Sequence, residues 1–399
     1  MGVSPGASRT FRARSVVAGL VLTALALSGC GGSSLGQPGG GQAGGAVKLG
    51  LVVPLSGVYA PLGEDMRNGF QLYLDEHDGK LGGRTVELVT ADEGDGPQTG
   101  VPAAQKLVTQ DQVAAVTGIV SSAVALGVRD FFDESQVPLV IANAGADAIT
   151  GAQKSDYIWR TSFSNGKVSG ALGPAVAEEA KGGVYLIAAD YAAGKEMIAG
   201  FKKTFEAAGG KVAGEKYTPF GKTQDFQPYL SAIRSSGASA VFSFYAGAEA
   251  VSFVKQYEQF GLAKKVPLYG TGFLTEGGVL KAQGAAAAGV KTSLHYSTEL
   301  DTPRNKAFVA AYQKAYQSPP TVYAVQAYDA AAVLDKALAT ASGDDGKALV
   351  EALGKVGPID SPRGQWRFDG SHDPEQPYYL REVRGSGSAV VNAVIRELT

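Results

Sequence analysis

From residue 48 onward the chain alternates short apolar runs with stretches whose apolar positions recur every three or four residues. The runs read as β-strands at 48–53, 85–91, 113–117 and 138–141, then at 183–189, 211–217, 238–244, 266–270 and 289–295. Between them lie helical candidates at 64–75, 98–109, 123–132, 170–180, 194–207, 248–260 and 304–316. Several strands are apolar at nearly every position, as expected for parallel strands covered by helices on both faces. Regular alternation of strand and helix predicts α/β layers, and two successive sets of such units predict two doubly wound, Rossmann-like lobes. The stretches 365–368, 378–383 and 389–396 alternate more strictly and read as terminal strands of a different kind.

The N-terminus has another pattern. Arg9, Arg12 and Arg14 precede an apolar run at 16–27, and Leu27-Ser28-Gly29-Cys30 closes it. A basic region, a short apolar region and small residues before a cut point form the layout of a secretory signal. The run is shorter than the roughly 20 residues a membrane-spanning helix needs. The closing string resembles the lipobox of bacterial lipoproteins, which implies a signal peptide at 1–29 and a lipid on Cys30. The other reading of Cys30 is a small buried thiol. Residues 31–46 are rich in glycine with little to bury, so 30–46 reads as a flexible tether, with a reach of about 20–24 Å.

Composition narrows the function. Cys30 is the one cysteine, so an exported fold would be held by its core, without an internal disulfide. Removing 1–29 leaves 33 basic against 38 acidic residues, too mixed for nucleic-acid binding, which calls for a basic patch or stripe. His77, His295 and His372 lack zinc-ligand spacing. Asp92-Glu93-Gly94-Asp95 lacks the ligand spacing of a calcium loop and reads as a solvated acidic loop. Neither a nucleophile elbow nor a phosphate-cradling loop is present. No cofactor, metal or catalytic machinery is expected.

Ligands of open α/β sheets sit beyond the carboxyl ends of the strands. After the first strand comes Pro54-Leu55-Ser56-Gly57-Val58-Tyr59, where Tyr59 can turn an aromatic face to a cleft. Gly118-Ile119-Val120-Ser121-Ser122 opens a helix, whose first N–H groups suit either a carboxylate or ordinary capping by serine. Asn143-Ala144-Gly145 forms a loop of small residues. Tyr191 and Tyr245 follow strands of the second set, where each ring can cover a ligand or fill the core.

In order and spacing, PLSG…YAPLGEDMRNGFQL, GIVSS, NAGAD before YIWRT, DYAAG, FYAGAEA and YAVQAYDAA resemble the type I periplasmic substrate-binding proteins of ABC importers, in the branched-chain amino acid and amide branch. The resemblance runs from about Val47 to Val383. It implies two lobes joined by a three-strand hinge, with lobe 1 at 47–160 plus 295–372 and lobe 2 at 161–294 plus 373–399. It also implies that Ser121 and Ser122 hold a ligand carboxylate, flanked by Asn143, Ala144 and Gly145. Tyr59 would line the first-lobe wall, Tyr191 and Tyr245 would close from the second lobe, and Arg160 would be structural. Amino-acid binders of this family place a glutamate for the α-ammonium where Gly272 stands, and a hydroxyl residue where Gly145 stands. An ammonium buried without a counter-charge is strongly disfavoured. Either Asp147 or Glu249 serves it, or the ligand is a carboxylate, aromatic acid or amide.

These residues lead to an expected solute receptor, lipid-anchored at Cys30 on the extracytoplasmic face of a bacterial membrane. It would act as a monomer, capturing a small polar molecule and delivering it to ABC permease subunits. The alternatives are a ligand-sensing lobe for a separate signalling protein and a secreted α/β enzyme.

Overall fold

The computed structural model describes residues 45–343, 345–386 and 389–398. The leader, Cys30 and nearly all of the tether lie outside these residues.

The first six strands are β1 (Val47–Val53), β2 (Lys80–Leu81), β3 (Arg84–Asp92), β4 (Ala115–Gly118), β5 (Leu139–Ile141) and β6 (Ile158–Arg160). They form one sheet in the order β2-β3-β1-β4-β5-β6, parallel except for β2. The next five are β7 (Val184–Ala189), β8 (Val212–Thr218), β9 (Ala240–Phe244), β10 (Leu268–Thr271) and β11 (Lys291–Leu294). A short pair, β12 (Arg367–Phe368) and β13 (Pro374–Glu375), precedes β14 (Tyr378–Ser386) and β15 (Ala389–Leu398). The second sheet runs β15-β14-β11-β10-β9-β7-β8, with β14 and β15 antiparallel. Strands β4, β5, β7 and β9 are buried along their whole length, as expected for largely apolar runs covered on both faces.

The chain leaves the first sheet after β6 and builds the second through β11. It then returns through helices Pro303–Tyr316, Val322–Thr340 and Gly346–Leu353 before reaching β14. Helix Val322–Thr340 packs against helix Ala60–Glu76 of the first lobe. Its residues are buried almost continuously from Val322 to Leu334, so it lacks the polar face by which a surface helix is recognised. Buried ion pairs pin the crossovers. Arg160 of β6 meets Asp373 at 2.7 Å, Arg363 meets Asp329 at 2.8 Å, and Arg381 of β14 meets Glu276 at 3.0 Å. Such pairs cost about 3–5 kcal/mol when one partner is removed, because the other charge is left buried alone.

In each sheet the strand order reverses once. The first lobe switches between β1 and β4, with β3 on the far side of β1. The second switches between β7 and β9, with β8 on the far side of β7. Loops at the carboxyl ends of these strands diverge there and leave a crevice. Among the described residues, no helix is long and apolar enough to cross a membrane.

Candidate ligand-binding cavity

The acidic loop after β3 organises the first-lobe side of the crevice. Asp92 accepts from the Leu55 N–H at 2.8 Å and from Ser56 Oγ at 2.7 Å. Asp95 accepts from the Val58 N–H at 2.7 Å. These bonds fold the loop after β1 so that helix Ala60–Glu76 starts at Tyr59. Glu93, 1% exposed, accepts from the N–H groups of Val120 and Ser121 at 2.8 and 2.7 Å. The preceding Gly118 and Ile119 take φ of +108° and +61°, which turns those amides toward Glu93. For a β-branched residue such a φ is strained and needs support from its surroundings. The expectation of a solvated acidic loop is corrected at Glu93, which is a buried internal acceptor, while Asp95 is exposed. Burial pushes the Glu93 carboxyl up to about 7 against the pull of its two amide donors.

Above this support lies a narrow cavity with about 320 Å³ of space between the atoms, part of it open to solvent. Its walls are largely aromatic, formed by Tyr59, Phe163, Tyr191, Phe244, Phe273 and Tyr323. Leu62, Val120, Ala193, Met197 and Ala246 fill the spaces between the rings. Polar character comes from Ser122, Asn143 and Asn165, with Gly145 beside them. Asn165 donates to Ser122 Oγ at 3.2 Å and to Glu196 at 2.7 Å. Tyr323 is 2% exposed, and its hydroxyl finds no partner among the described residues. A buried hydroxyl is normally paired, so this one is available to an occupant.

The structure brings Tyr59, Ser122, Asn143, Gly145 and Tyr191 together around this space, and it places the other expected residues elsewhere. Ser121 is buried with its N–H committed to Glu93 and does not line the cavity, so the expectation that it holds a ligand carboxylate is corrected. Its side chain makes no capping hydrogen bond either. Ala144 packs in the first-lobe core while its N–H donates to Ile119 O at 2.8 Å. Tyr245 turns to the opposite face of β9, against Phe226 and Phe253 at ring distances of 5.3 and 4.7 Å, with its hydroxyl 3.2 Å from Thr218 Oγ1. Its neighbour Phe244 faces the cavity instead.

Gly272 is corrected in the same way. A Cβ there would overlap the Arg381 guanidinium and lie 2.6 Å from Leu294 Cβ, while Phe273 is the residue that reaches the cavity. At Gly145 a Cβ would meet Asn165 Oδ1 and lie 2.5 Å from Phe163 Cε2. These two side chains occupy the room that a hydroxyl residue would need.

No charged side chain lines the cavity among the described residues. Of the two acids considered for an ammonium, Asp147 accepts from the Gly166 N–H and Glu249 from the Gly221 N–H, at 2.8 and 2.9 Å. Burial pushes Glu249 up to about 7 and also raises Asp147. Among the described residues, no group of three or more His, Cys, Asp or Glu is placed to hold a metal ion. The sequence reading did not single out Phe163, Asn165, Phe244, Phe273 or Tyr323 as site residues. Phe244 and Tyr323 open the strings FYAGAEA and YAVQAYDAA, and Phe273 stands one residue past Gly272.

The fold recurs in known proteins. The family described as Periplasmic binding protein matches residues 46–388. A Leu/Ile/Val-binding protein homolog 6 from Brucella melitensis biotype 1 is 34% identical, over 84% of this chain and 87% of its own length. A solute-binding protein of an ABC transporter from R. palustris, solved in complex with benzoate, is 37% identical with a TM-score of 0.81, over 88% of this chain and 98% of its own. A second one from R. palustris, in complex with 4-hydroxybenzoate, is 33% identical with a TM-score of 0.82, over 88% and 97%. With a match over most of its length and two such lobes around a cavity, the chain belongs to the periplasmic binding protein family, as a type I member of the Leu/Ile/Val-binding kind.

Proposed function

We propose that this protein is an extracytoplasmic receptor for a small aromatic carboxylate of the benzoate class, which it hands to an ABC permease from a lipid anchor on Cys30. The observation that carries the ligand class is the cavity wall: six aromatic rings and no charged side chain. Flat walls of rings suit a planar aromatic occupant through stacked and edge-on contacts. An α-ammonium would be buried there with no charged side chain in the wall, among the described residues, to pair with it, which is strongly disfavoured. A carboxylate can instead be met by hydroxyl and amide donors, which bind anions through short, charge-assisted hydrogen bonds. Ser122, Tyr323 and Asn143 supply such groups. The R. palustris relatives, at 33–37% identity, were solved with benzoates, which supports the same class here.

We propose that the lobes 47–160 plus 295–372 and 161–294 plus 373–399 move about the crossovers, and that occupancy favours the closed form a permease would recognise. Calorimetry with benzoate, 4-hydroxybenzoate, leucine and isoleucine tests the ligand class. An aromatic acid should bind at least about 100-fold tighter than either amino acid, reflecting the unpaired ammonium. Tighter binding of leucine would overturn the reading. Loss of benzoate uptake on deleting the gene separates transport from a sensing role, which would leave uptake intact. Fatty-acid labelling lost in Cys30→Ser supports the anchor, and retained label refutes it.

A further inference from the structure

Asn143 is the cavity residue whose hydrogen-bonding character is set from behind the wall. Its Nδ2 lies 2.6 Å from Gln326 Oε1, and Gln326 Nε2 lies 3.1 Å from His295 Nε2. All three are buried: Asn143 at 4% exposure, Gln326 and His295 at 0%. Gln326 stands one helical turn beyond Tyr323, and His295 follows β11 at a crossover. The second amide atom of Asn143 has no protein partner among the described residues and is left to the cavity.

A row of two carboxamides and an imidazole can run in either of two senses on one frame of heavy atoms, because amide O and N exchange places by a half-turn. In one sense Asn143 donates to Gln326, Gln326 donates to His295 Nε2, and the ring carries its proton on Nδ1. That Nδ1 has no partner among the described residues, so this sense buries an unmatched N–H. In the other sense His295 Nε2–H donates to Gln326, and Gln326 donates to Asn143. Nδ1 then holds only a lone pair, in the field of the Arg363 and Arg381 guanidiniums, which together with burial keep the ring neutral. Phe163 and Tyr378 also pack near the ring, with centroids at 5.8 and 6.3 Å. An orphaned buried N–H is rarer and costlier than an under-used acceptor, so the second sense wins.

We infer that the row runs from His295 through Gln326 to Asn143, so that Asn143 turns its amide N–H groups to the cavity and reads a carboxylate oxygen of the ligand. His295 and Gln326 are thus positioning residues for ligand charge, acting without touching the ligand. A ligand that needs an acceptor at this point, such as an ammonium, meets a donor instead. The inference rests on the cavity being the ligand site, but the sense of the row can be measured without any ligand.

The full chain, labelled with ¹⁵N-histidine and assigned with His77→Asn and His372→Asn variants, should show His295 neutral with its proton on Nε2. A proton on Nδ1 overturns the inference. In Gln326→Met the amide of Asn143 loses its director. Benzoate should then weaken about tenfold while benzamide, which can pair with either end of an amide, shifts by no more than about twofold. A benzoate-to-benzamide ratio unchanged from wild type, in a variant whose thermal unfolding shows it folded, also overturns it. A wild-type chain that binds neither compound overturns the functional reading alone, and the proton position still decides the sense of the row.

Discussion

Tyr59 Oη lies 2.8 Å from Tyr191 Oη, which joins the loop after β1 to the loop after β7 across the cavity. Phe220 supports both rings, stacked on Tyr191 at 4.3 Å and tilted against Tyr59 at 5.9 Å. Burial raises both phenols well above their ordinary pKa, so the contact is between two neutral hydroxyls at any ordinary pH. The pair is a bond that an open cleft would have to break.

Tyr59→Phe and Tyr191→Phe should therefore each weaken ligand affinity by about 2- to 10-fold, the worth of one neutral hydrogen bond. The double variant should lose no more than the stronger single one, because both remove the same bond. Additive losses in a calorimetric double-mutant cycle would refute the latch. Tyr191→Ala also removes the ring and should cost about 1–3 kcal/mol of binding.

Tyr245→Ala should behave differently. Its ring fills the second-lobe core, so the expected loss is about 3–5 kcal/mol of stability, as for other large-to-small core changes. Ligand affinity of the folded fraction should stay within about twofold, since the side chain faces away from the cavity. Thermal unfolding beside calorimetry separates the two effects, and weakened binding at unchanged stability would return Tyr245 to the site.

Gly272→Glu should not create an amino-acid binder. The new side chain would collide with Arg381 and Leu294 and disturb the buried Arg381–Glu276 pair. Breaking a pair of that kind costs about 3–5 kcal/mol. The variant should unfold at lower temperature and bind leucine no better than wild type, and a clear gain in leucine affinity would contradict this.

The contribution of three buried carboxyls to stability should fall as pH rises toward neutrality. The depressed pKa values of His295 and His372 act in the opposite sense, below the unfolded histidine value. Burial pushes Glu93, Asp65 and Glu249 up to about 7 in the folded chain. Between the unfolded value of 4.5 for Glu93 and about 7, the folded state binds more protons than the unfolded state. Stability from these groups is then fully present below the unfolded value and lost as pH rises through about 7. Asp369 acts in the opposite sense and only in acid. Burial opposes its ionisation, but hydrogen bonds from Ser371, Asp373 and Lys167 outweigh that and hold it at about 2. Glu93→Gln should remove its share of that fall from the melting temperature between pH 5 and 7.5, and an unchanged slope would sink the assignment.

Much of the architecture was legible because local pattern and burial coincide. The runs that became β1, β7 and β9 are apolar on both faces, and the strands they form are covered on both faces. Helix Val322–Thr340 escaped the pattern because burial around nearly its whole circumference removes the polar stripe that marks a helix. Strand β6 escaped because three residues carry no period, and Phe163 and Asn165 were hidden with it.

The site was legible to the loop but not to the residue. Side chains leaving a strand alternate between its faces, so a shift of one position decides whether a ring meets the ligand or the core. Phe244 and Tyr245 divide in this way at the end of β9, and in the helical turn after β10 it is Phe273 rather than Gly272 that reaches the cavity. Sequence alone determined the two sets of α/β units and the post-strand loops where a ligand can sit, because both follow from runs of neighbouring residues. Only the tertiary structure decided that Glu93 takes the amides before Ser122, that Tyr59 meets Tyr191, and that His295 stands behind Asn143. Each joins residues far apart in the chain, and the order and twist of two sheets bring them within a hydrogen bond's reach.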